Sequence, residues 1–320
     1  MTDRPYVQYI ELFVDISYPD DMEMIEIEAF VAIAQAGSFT RAAVELHLSQ
    51  PAVSRRIDLL ERELGAPLFE RLHGGARLTG AGEAFLPYAR QVLAAARDGA
   101  AAVRELDSGE AGTIALALVG TLASTALTER IRAFRGAYPA VRLTLRTARS
   151  DEVSALVQAG QVTLGLRYFP DPSPTVVSAH VEDEQLVVVC AAHAPLTGAS
   201  EPAALAGVAW VGFPTVGGSS GEPFTRVLQQ QLLRAGLDAA EIVAIDSLTA
   251  QKRLIEAGFG LGLLPASSVI EEVRLGTLQI LPIPDLATTV PVFAIHRRSG
   301  YLSPAARRLL SELKGESAEC

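Results

Sequence analysis

The chain has 320 residues, which is long for one compact domain and suits two. Its formal net charge of −10 excludes a protein that coats nucleic acid non-specifically, since that affinity comes from neutralising phosphates. No uncharged apolar run reaches the roughly 20 residues of a membrane-spanning helix, and the first residues do not form a secretory signal. A cytoplasmic location is therefore expected. Cys190 and Cys320 are the only cysteines, too few for a disulfide framework or a zinc site.

Three short helices are predicted at the start of the chain, between Ile27 and Leu64. Apolar residues recur at helical spacing until Gly37 ends the first helix, and Ser38 can cap the second. After a turn at 47–48, Ser49 can cap a third helix whose first turn tolerates a proline. The pattern predicts a small helical module with a tight turn before its third helix.

The third helix has an apolar face and a polar face on opposite sides. The apolar stripe is Val53, Ile57, Leu60 and Leu64. The polar face comprises Pro51, Arg55, Asp58 and Arg62, flanked by Gln50 and Ser54. A helix of this kind can enter the major groove of DNA with its N-terminus first. An ordinary solvated helix face would show the same pattern.

The amino-acid sequence of this segment resembles the DNA-binding signature of the LysR family of transcriptional regulators. The matching positions are Gly37-Ser38-Phe39, Ala42-Ala43, Leu46, Ser49-Gln50-Pro51-Ala52-Val53-Ser54, Ile57, Leu60-Glu61, Leu64-Gly65, Leu68-Phe69, Arg71, Leu78-Thr79 and Gly82. The resemblance implies a winged helix-turn-helix with its wing at 67–78. It further implies that Gln50 and Arg55 meet base edges or adjacent phosphates, that Pro51 lies against DNA, and that phosphates are contacted by Ser38, Thr40, Ser54 and Arg71.

A heptad pattern follows Thr79. Its members are Phe85, Ala89, Val92, Ala96, Gly99, Val103 and Leu106, which recur at alternating steps of four and three residues. An amphipathic helix packed on its own chain would give the same pattern. The resemblance implies instead a linker helix that pairs with its antiparallel partner in a homodimer, and hence an inverted-repeat DNA site. The expected pairing residues are Phe85, Ala89, Val92, Ala96 and Val103.

Beyond a polar break at 108–112, short apolar runs alternate with helical stretches, which predicts a mainly parallel α/β body. The predicted strands are 113–119, 141–146, 162–166, 186–191, 208–213, 260–264 and 290–295. The resemblance implies a two-lobed α/β effector domain similar to periplasmic binding proteins. The expected divisions are a leader at 1–21, the winged helix-turn-helix at 22–82, the linker helix at 83–110, the effector domain at 111–313 and a tail at 314–320. Within the effector domain, lobe 1 is expected at about 112–183 and 288–313, and lobe 2 at about 184–287.

Ligands of open α/β sheets sit beyond the carboxyl ends of strands, often at helix N-termini whose free amides attract anions. This places a candidate effector site at Thr121, Ser150, Arg167, Ser219, Ser247 and Thr249. For any single serine or threonine a helix cap is the better interpretation, and only their joint placement at strand ends favours a site. Arg167 could hold a carboxylate or be only a surface ion pair. The resemblance supports Thr121, Ser150 and Thr249 most, because the family uses these loops for its effector.

The sequence departs from the family pattern in two places. Gly160-Gln161-Val162-Thr163 stands where many members have an acidic residue at the end of a G-x-x-D turn. Family members also begin shortly before a segment like "MIEIEAF", so an upstream mis-start, with the true start at Met22 or Met24, is the favoured interpretation of residues 1–21.

Two other classes of function fit the sequence less well. An enzyme needs a catalytic or metal-binding constellation, and the five histidines are scattered without metal-ligand spacing. A secreted solute-binding protein would explain the body but neither the N-terminal module nor the missing signal. The resemblance implies a bacterial regulator without a cofactor, controlled by a small-molecule effector of unknown identity. Its expected partners are RNA polymerase and further copies of itself, as a dimer of dimers.

Overall fold

The structure is a computed structural model, and it describes residues 22–72, 75–108, 112–124, 126–196, 199–214 and 223–315. The leader at 1–21, the wing tip at 73–74, the candidate effector residue Ser219 and the last residues of the tail lie outside this description. The chain divides into two units, Met1–Leu93 and Ala94–Cys320. Each unit is described by itself below. The finer domain boundaries expected from the sequence stay a prediction.

The first unit contains three short helices, a two-stranded wing and the beginning of a long helix. Its elements are α1 (Met24–Ala36), α2 (Phe39–Glu45), α3 (Gln50–Leu64), β1 (Phe69–Leu72), β2 (Gly75–Leu78) and the first part of α4 (Gly80–Ser108). α1 ends where Gly37 takes the left-handed conformation, with φ 62°. Ser38 then caps α2, and Ser49 caps α3. The predicted helix-turn-helix is confirmed.

Apolar faces of these helices close over one core. Phe30 is wholly buried, and its ring centroid lies 5.3 Å from that of Phe69 and 5.2 Å from that of Phe85. The predicted apolar stripe of α3 faces this core, with Val53 and Leu60 wholly buried. Burying one side of α3 leaves its polar side in solvent, which is what a DNA-reading helix requires.

The first part of α4 packs on the core of its own module. Ala89 has no exposed surface, and Phe85 is partly buried against the same core. The physical reason is that three short helices cannot enclose their own core and need α4 as a lid. Val92 and Val103 are 41% and 65% exposed, and Ala96 is exposed too. The pairing role stays a prediction for all five expected residues, Phe85, Ala89, Val92, Ala96 and Val103.

The second unit is an α/β domain that begins with the end of α4. Its strands are β3 (Gly112–Val119), β4 (Val141–Ala148), β5 (Leu164–Tyr168), β6 (Val176–Ala191), β7 (Trp210–Gly212), β8 (Ile242–Ala244), β9 (Gly262–Pro265), β10 (Leu278–Leu281) and β11 (Thr288–Arg297). Its complete helices are α5 (Ala126–Ala137), α6 (Ser150–Gln158), α7 (Pro223–Arg234), α8 (Leu248–Glu256), α9 (Ile270–Leu275) and α10 (Pro304–Lys314). Short 3₁₀ turns lie at Gly120–Ser124, Pro202–Leu205, Ala266–Ser268 and Pro284–Leu286.

Two long strands connect two lobes of this domain. The main sheet has the order β10-β6-β11-β5-β3-β4, and β9 also pairs with β6. We call β3, β4, β5 and β11 with their helices the first lobe, and β7 to β10 with their helices the second lobe. β6 pairs with β11 along its first part and with β9 and β10 along its last part, so it belongs to both.

The expectation of a mainly parallel body is corrected to a mixed sheet. β3 runs parallel to β4 and β5, and β7 runs parallel to β8, as alternating strands and helices predict. The strands that carry the chain between the lobes differ: β11 is antiparallel to both β5 and β6. A chain that crosses to the second lobe and returns must reverse direction, and the two crossings then pair antiparallel. The two-lobed α/β architecture itself is confirmed.

Candidate functional site

The solvent side of α3 carries most of the predicted DNA contacts. Gln50, Pro51 and Arg55 are exposed over the first turns of the helix, and Ser54 is half-buried beside them. Thr40 is exposed on α2. Apart from Pro51, these are the residue types that donate and accept hydrogen bonds at base edges and phosphates. Their roles stay predictions, but each lies where a groove or a phosphate could reach it.

The charge of this face is mixed and local. Arg55 and Arg62 flank Asp58 on the exposed side, and Arg62 donates from Nε to the Asp58 carbonyl at 3.1 Å. Ser38 accepts from the Arg41 amide at 3.5 Å, so its hydroxyl caps a helix in addition to any contact with phosphate. The sequence argument foresaw both the face and the cap.

Glu61 fixes the wing against α3. Its Oε1 accepts from the amides of Leu68 and Phe69, at 2.6 and 3.2 Å. Hydrogen bonds to a carboxylate are stronger than those between neutral groups, so this contact sets where the wing begins. Thr79 closes the other end by donating from its hydroxyl to the Pro67 carbonyl at 2.6 Å. Sequence reasoning gave Glu61 no role, although Glu61 belongs to the matched signature.

The wing is a short hairpin that also touches the turn between α1 and α2. β1 and β2 pair antiparallel, with an ion pair between Glu70 and Arg77 at 2.6 Å. A Cβ added at Gly75 would stand 2.9 Å from the Gly37 carbonyl oxygen, so a glycine at position 75 allows this close approach. The backbone of Arg71 lies in β1, and its side chain lies outside the description.

A cavity of about 800 Å³ lies in the second unit, between α6 of the first lobe and α7 of the second. α6 lines it with Ser150, Ser154 and Gln158, at steps of four residues that bring all three to one face. α7 contributes Arg226 and Gln230 from the other side. A volume of this size matches sites for small organic ligands.

Arg167 provides charge at the cavity wall within a neutralised pair. Its Nη1 donates to Asp171 Oδ2 at 2.8 Å and to Ser154 Oγ at 2.6 Å. The side chains of Arg167 and Asp171 are 11% and 2% exposed. The alternative of a surface ion pair is therefore corrected to a buried one, because the loop after β5 folds over the guanidinium.

Ser150 is a polar group that lacks a partner at this wall. It occupies the first position of α6 and is 4% exposed, and its Oγ has no hydrogen-bond partner among the described residues. A buried hydroxyl left unsatisfied costs about 1–3 kcal/mol. A ligand atom at hydrogen-bond distance from Ser150 would recover that cost, and the α6 N-terminus favours an acceptor or an anion there.

Of the predicted effector residues, the structure brings Ser150 and Arg167 together at one cavity. Thr121 is buried elsewhere, with an Oγ1 that also lacks a partner in the described part of the chain. Ser247 caps α8, and Thr249 is exposed on it; neither lines this cavity. Effector roles for Ser150, Arg167, Thr121, Ser247 and Thr249 all stay predictions.

Sequence reasoning missed several lining residues that the fold adds. Ser154, Gln158, Asp171 and Arg226 all line the cavity. A signal for two of them was present, since Ser150, Ser154 and Gln158 form a polar stripe at helical spacing. No comparable local signal marks Asp171 or Arg226, whose place depends on how the lobes pack.

Two kinds of site are not found in the described ranges. No group of histidine, cysteine and acidic side chains there could hold a metal ion. No helix in the same ranges is long and apolar enough to cross a membrane. The expectations of no cofactor and of a cytoplasmic location stay predictions.

Comparison with known proteins gives two family matches that cover most of the chain. The model described as "Bacterial regulatory helix-turn-helix protein, lysR family" matches residues 25–83. The model described as "LysR substrate binding domain" matches residues 107–318. The two matches correspond to the module that carries α3 and to the domain that holds the cavity.

Similar proteins agree with these matches along almost their whole length. The HTH-type transcriptional regulator TfdS of Cupriavidus pinatubonensis is 30% identical over 273 residues, which is 85% of this chain and 91% of that protein. The regulator TcbR of Pseudomonas sp. is 30% identical over 279 residues, with 87% and 93% covered.

Solved structures of full-length regulators share the fold. CbnR in complex with its target DNA is 26% identical, with a TM-score of 0.62, and the match covers 92% of this chain and 100% of that one. Full-length BenM is 25% identical, with a TM-score of 0.55 and 92% and 96% covered. The chain therefore belongs to the LysR family: it is a transcriptional regulator, not an enzyme, with an N-terminal helix-turn-helix and a C-terminal substrate-binding domain.

Proposed function

We propose that this regulator reads a specific inverted-repeat promoter site through α3, as a homodimer or a dimer of dimers. The observation that carries the proposal is the exposed face of α3, where Gln50 and Arg55 stand clear of the module's core. Glutamine can bond both edge atoms of adenine and arginine those of guanine, so these two residues specify sequence. The similarity to CbnR, which was solved with its target DNA, supports this use of the helix.

Hydroxyls and arginines around α3 hold phosphates in this scheme. Ser38, Thr40, Ser54 and Arg71 set the register of α3 on the duplex without reading bases, and Pro51 packs against the backbone. Because the whole chain carries a charge of −10, affinity comes from these few placed groups and from the pairing of two modules.

A small-molecule effector occupies the cavity between α6 and α7 and controls the regulator. Ser150 meets a polar atom of the ligand, and the Arg167–Asp171 pair shapes the wall beside it. The effector acts only through its different affinity for two arrangements of the lobes. The changed arrangement of the lobes alters the geometry of the dimer. The dimer then contacts DNA and RNA polymerase differently. No cofactor takes part.

The DNA-binding proposal is tested by fluorescence anisotropy with the intergenic duplex upstream of the gene. Gln50→Ala and Arg55→Ala are each expected to weaken specific binding by about 5- to 150-fold, which corresponds to about 1–3 kcal/mol per good base contact. Affinity for unrelated duplex should change much less.

Arg274→Ala is the matched control. Arg274 is an exposed arginine of α9, 74% exposed, so its removal changes net charge equally without touching α3. The proposal fails if the wild type binds the upstream duplex no better than unrelated DNA, or if Arg274→Ala weakens binding as much as Arg55→Ala does.

A further inference from the structure

The last part of α4 is held on the second unit by a charged contact around Asp98. Arg297 Nη2 donates to Asp98 Oδ1 at 2.7 Å and to Oδ2 at 2.8 Å, and the Tyr301 amide donates to Oδ2 at 3.0 Å. The side chains of Arg297 and Asp98 are only 14% and 22% exposed. Hydrogen bonds between ionised groups are stronger than those between neutral groups, and shielding from water strengthens the bonds between Arg297 and Asp98 further.

Gly160 lets the helix come close at the same place. It follows α6 and has φ 63°, a left-handed conformation that favours glycine. A Cβ at Gly160 would stand 2.6 Å from the Cβ of Ala94, and Ala94 is itself wholly buried. Arg97 also donates from Nη1 to the Ala159 carbonyl at 3.5 Å. We call Asp98, Arg297 and Gly160 the α4 seat.

One element of the α4 seat, α6, lines the cavity, and a second element, β11, pairs with a strand that lines it. α6 lines the cavity from Ser150 to Gln158 and then turns at Gly160, so it reaches from the cavity to α4 over nine residues, or about 14 Å. β11 ends at Arg297 and pairs with β5, which carries Arg167 of the cavity. Any ligand that shifts α6 or β5 therefore acts on parts of the seat.

We propose that the α4 seat passes the state of the effector cavity to α4, with Asp98 and Arg297 as positioning residues. The inference rests on the proposed function, in which DNA binds the first unit and an effector binds the second. α4 begins in the first unit and ends in the second. The contact between α4 and the rest of the second unit therefore decides whether an effector bound there can influence DNA binding. If α4 were connected to the lobes by the backbone alone, without the contacts of the α4 seat, the lobes could move without moving α4.

Coupling between two sites is reciprocal, and this makes a test without the effector feasible. DNA bound to the first unit must affect α6 through the same contact through which an effector would affect DNA binding. Hydrogen–deuterium exchange of the full-length protein, with and without the upstream promoter duplex, measures this effect at residues 150–158. We expect the duplex to change exchange at α6 of the wild type by about fivefold or more.

Asp98→Asn and Arg297→Gln are expected to remove that response while the dissociation constant for DNA stays within about threefold. A merely structural role would lower the melting temperature and leave the response to DNA in place. The matched control is Glu129→Gln, which breaks an exposed pair with Arg132 on α5 of the same unit and should leave the response intact. Arg297→Lys keeps the charge but replaces the guanidinium, whose Nη2 bonds both carboxylate oxygens of Asp98, so it serves if Arg297→Gln does not fold.

The possible outcomes separate the two proposals. If the wild type does not bind the duplex specifically, the proposed function fails. If it binds and α6 does not respond, or if Asp98→Asn, Arg297→Gln and Arg297→Lys respond as fully as the wild type, the seat does not couple the sites and the inference is wrong. The inference is supported if these variants lose the response of α6 to DNA while the wild type and Glu129→Gln keep it.

Discussion

At the scale of single residues, Glu184 shows how burial changes a carboxylate. It lies on β6 near the crossing between the lobes and is 7% exposed. Burial raises the pKa of its carboxyl, and hydrogen bonds from the Ser267 hydroxyl at 2.8 Å and amide at 3.4 Å counteract this only in part. The folded protein therefore holds this proton more tightly than the unfolded chain does.

This direction of the pKa gives a signed prediction for Glu184→Gln. A group whose pKa is raised on folding destabilises the folded state as pH rises from the ordinary glutamate range through the raised value. Glutamine stays neutral, so the melting temperature of the variant minus that of the wild type should be larger at pH 8 than at pH 5. Any hydrogen bond lost to Ser267 contributes at both pH values and cancels.

Thermal denaturation of both proteins at the two pH values measures this difference. Glu271→Gln, at an exposed position of α9, serves as the control and should show no such trend. An equal difference for Glu184→Gln at pH 5 and pH 8 would show that burial does not tune this carboxyl.

At the scale of elements, α4 has two roles along one helix. Its first part covers the core of the helix-turn-helix module through Ala89, and its last part is fixed by Asp98 to the second unit. Between and beyond these anchors Val92 and Val103 stay exposed, which is unusual for apolar residues that recur at heptad spacing. The exposed remainder of the seam is the surface that a partner helix would cover.

We expect Val103→Asp to weaken dimerisation, because a charge in an apolar helix pair would lose its water. Sedimentation over a concentration series should show at least a tenfold higher dissociation constant than in the wild type. Gln91→Asp adds the same charge to an exposed position about 120° around the helix and should leave association unchanged. If both variants associate like the wild type, α4 does not pair through this stripe.

At the scale of the whole molecule, the two lobes hold a cavity that neither could form alone. α6 and α7 line it from opposite sides, and Ser150 in its wall has a buried hydroxyl without a partner among the described residues. A ligand that binds only the folded state raises the melting temperature in proportion to RT ln(1 + [L]/Kd).

A thermal-shift screen of small metabolites against the full-length protein should yield compounds that stabilise the wild type. Their shift is expected to fall clearly in Ser150→Ala, since one hydrogen bond to the ligand is lost. Ser247→Ala removes a helix cap outside the cavity and should keep the ligand-induced shift, measured from its own baseline. The reverse pattern would move the effector site to the N-terminus of α8.

The sequence by itself determined the first module and its use. Caps and left-handed turns act within a few residues, so Gly37, Ser38 and Ser49 marked α1 to α3 correctly, and the family-like spacing identified the DNA reader. The alternation of strands and helices likewise predicted an α/β architecture, and the resemblance to the family implied that this body is an effector domain. Ser150 and Arg167 were expected at its strand ends.

Only the tertiary structure decided features that join distant segments. The burial of Ala89, the antiparallel crossing of β6 and β11, and the meeting of Ser154 with Asp171 and Arg226 at one cavity all depend on packing. Asp98 and Arg297 are 199 residues apart in the chain, yet they hold α4 in place. Local periodicity shows which face of a helix or strand is apolar. Which other element packs against that face depends on how the whole chain folds.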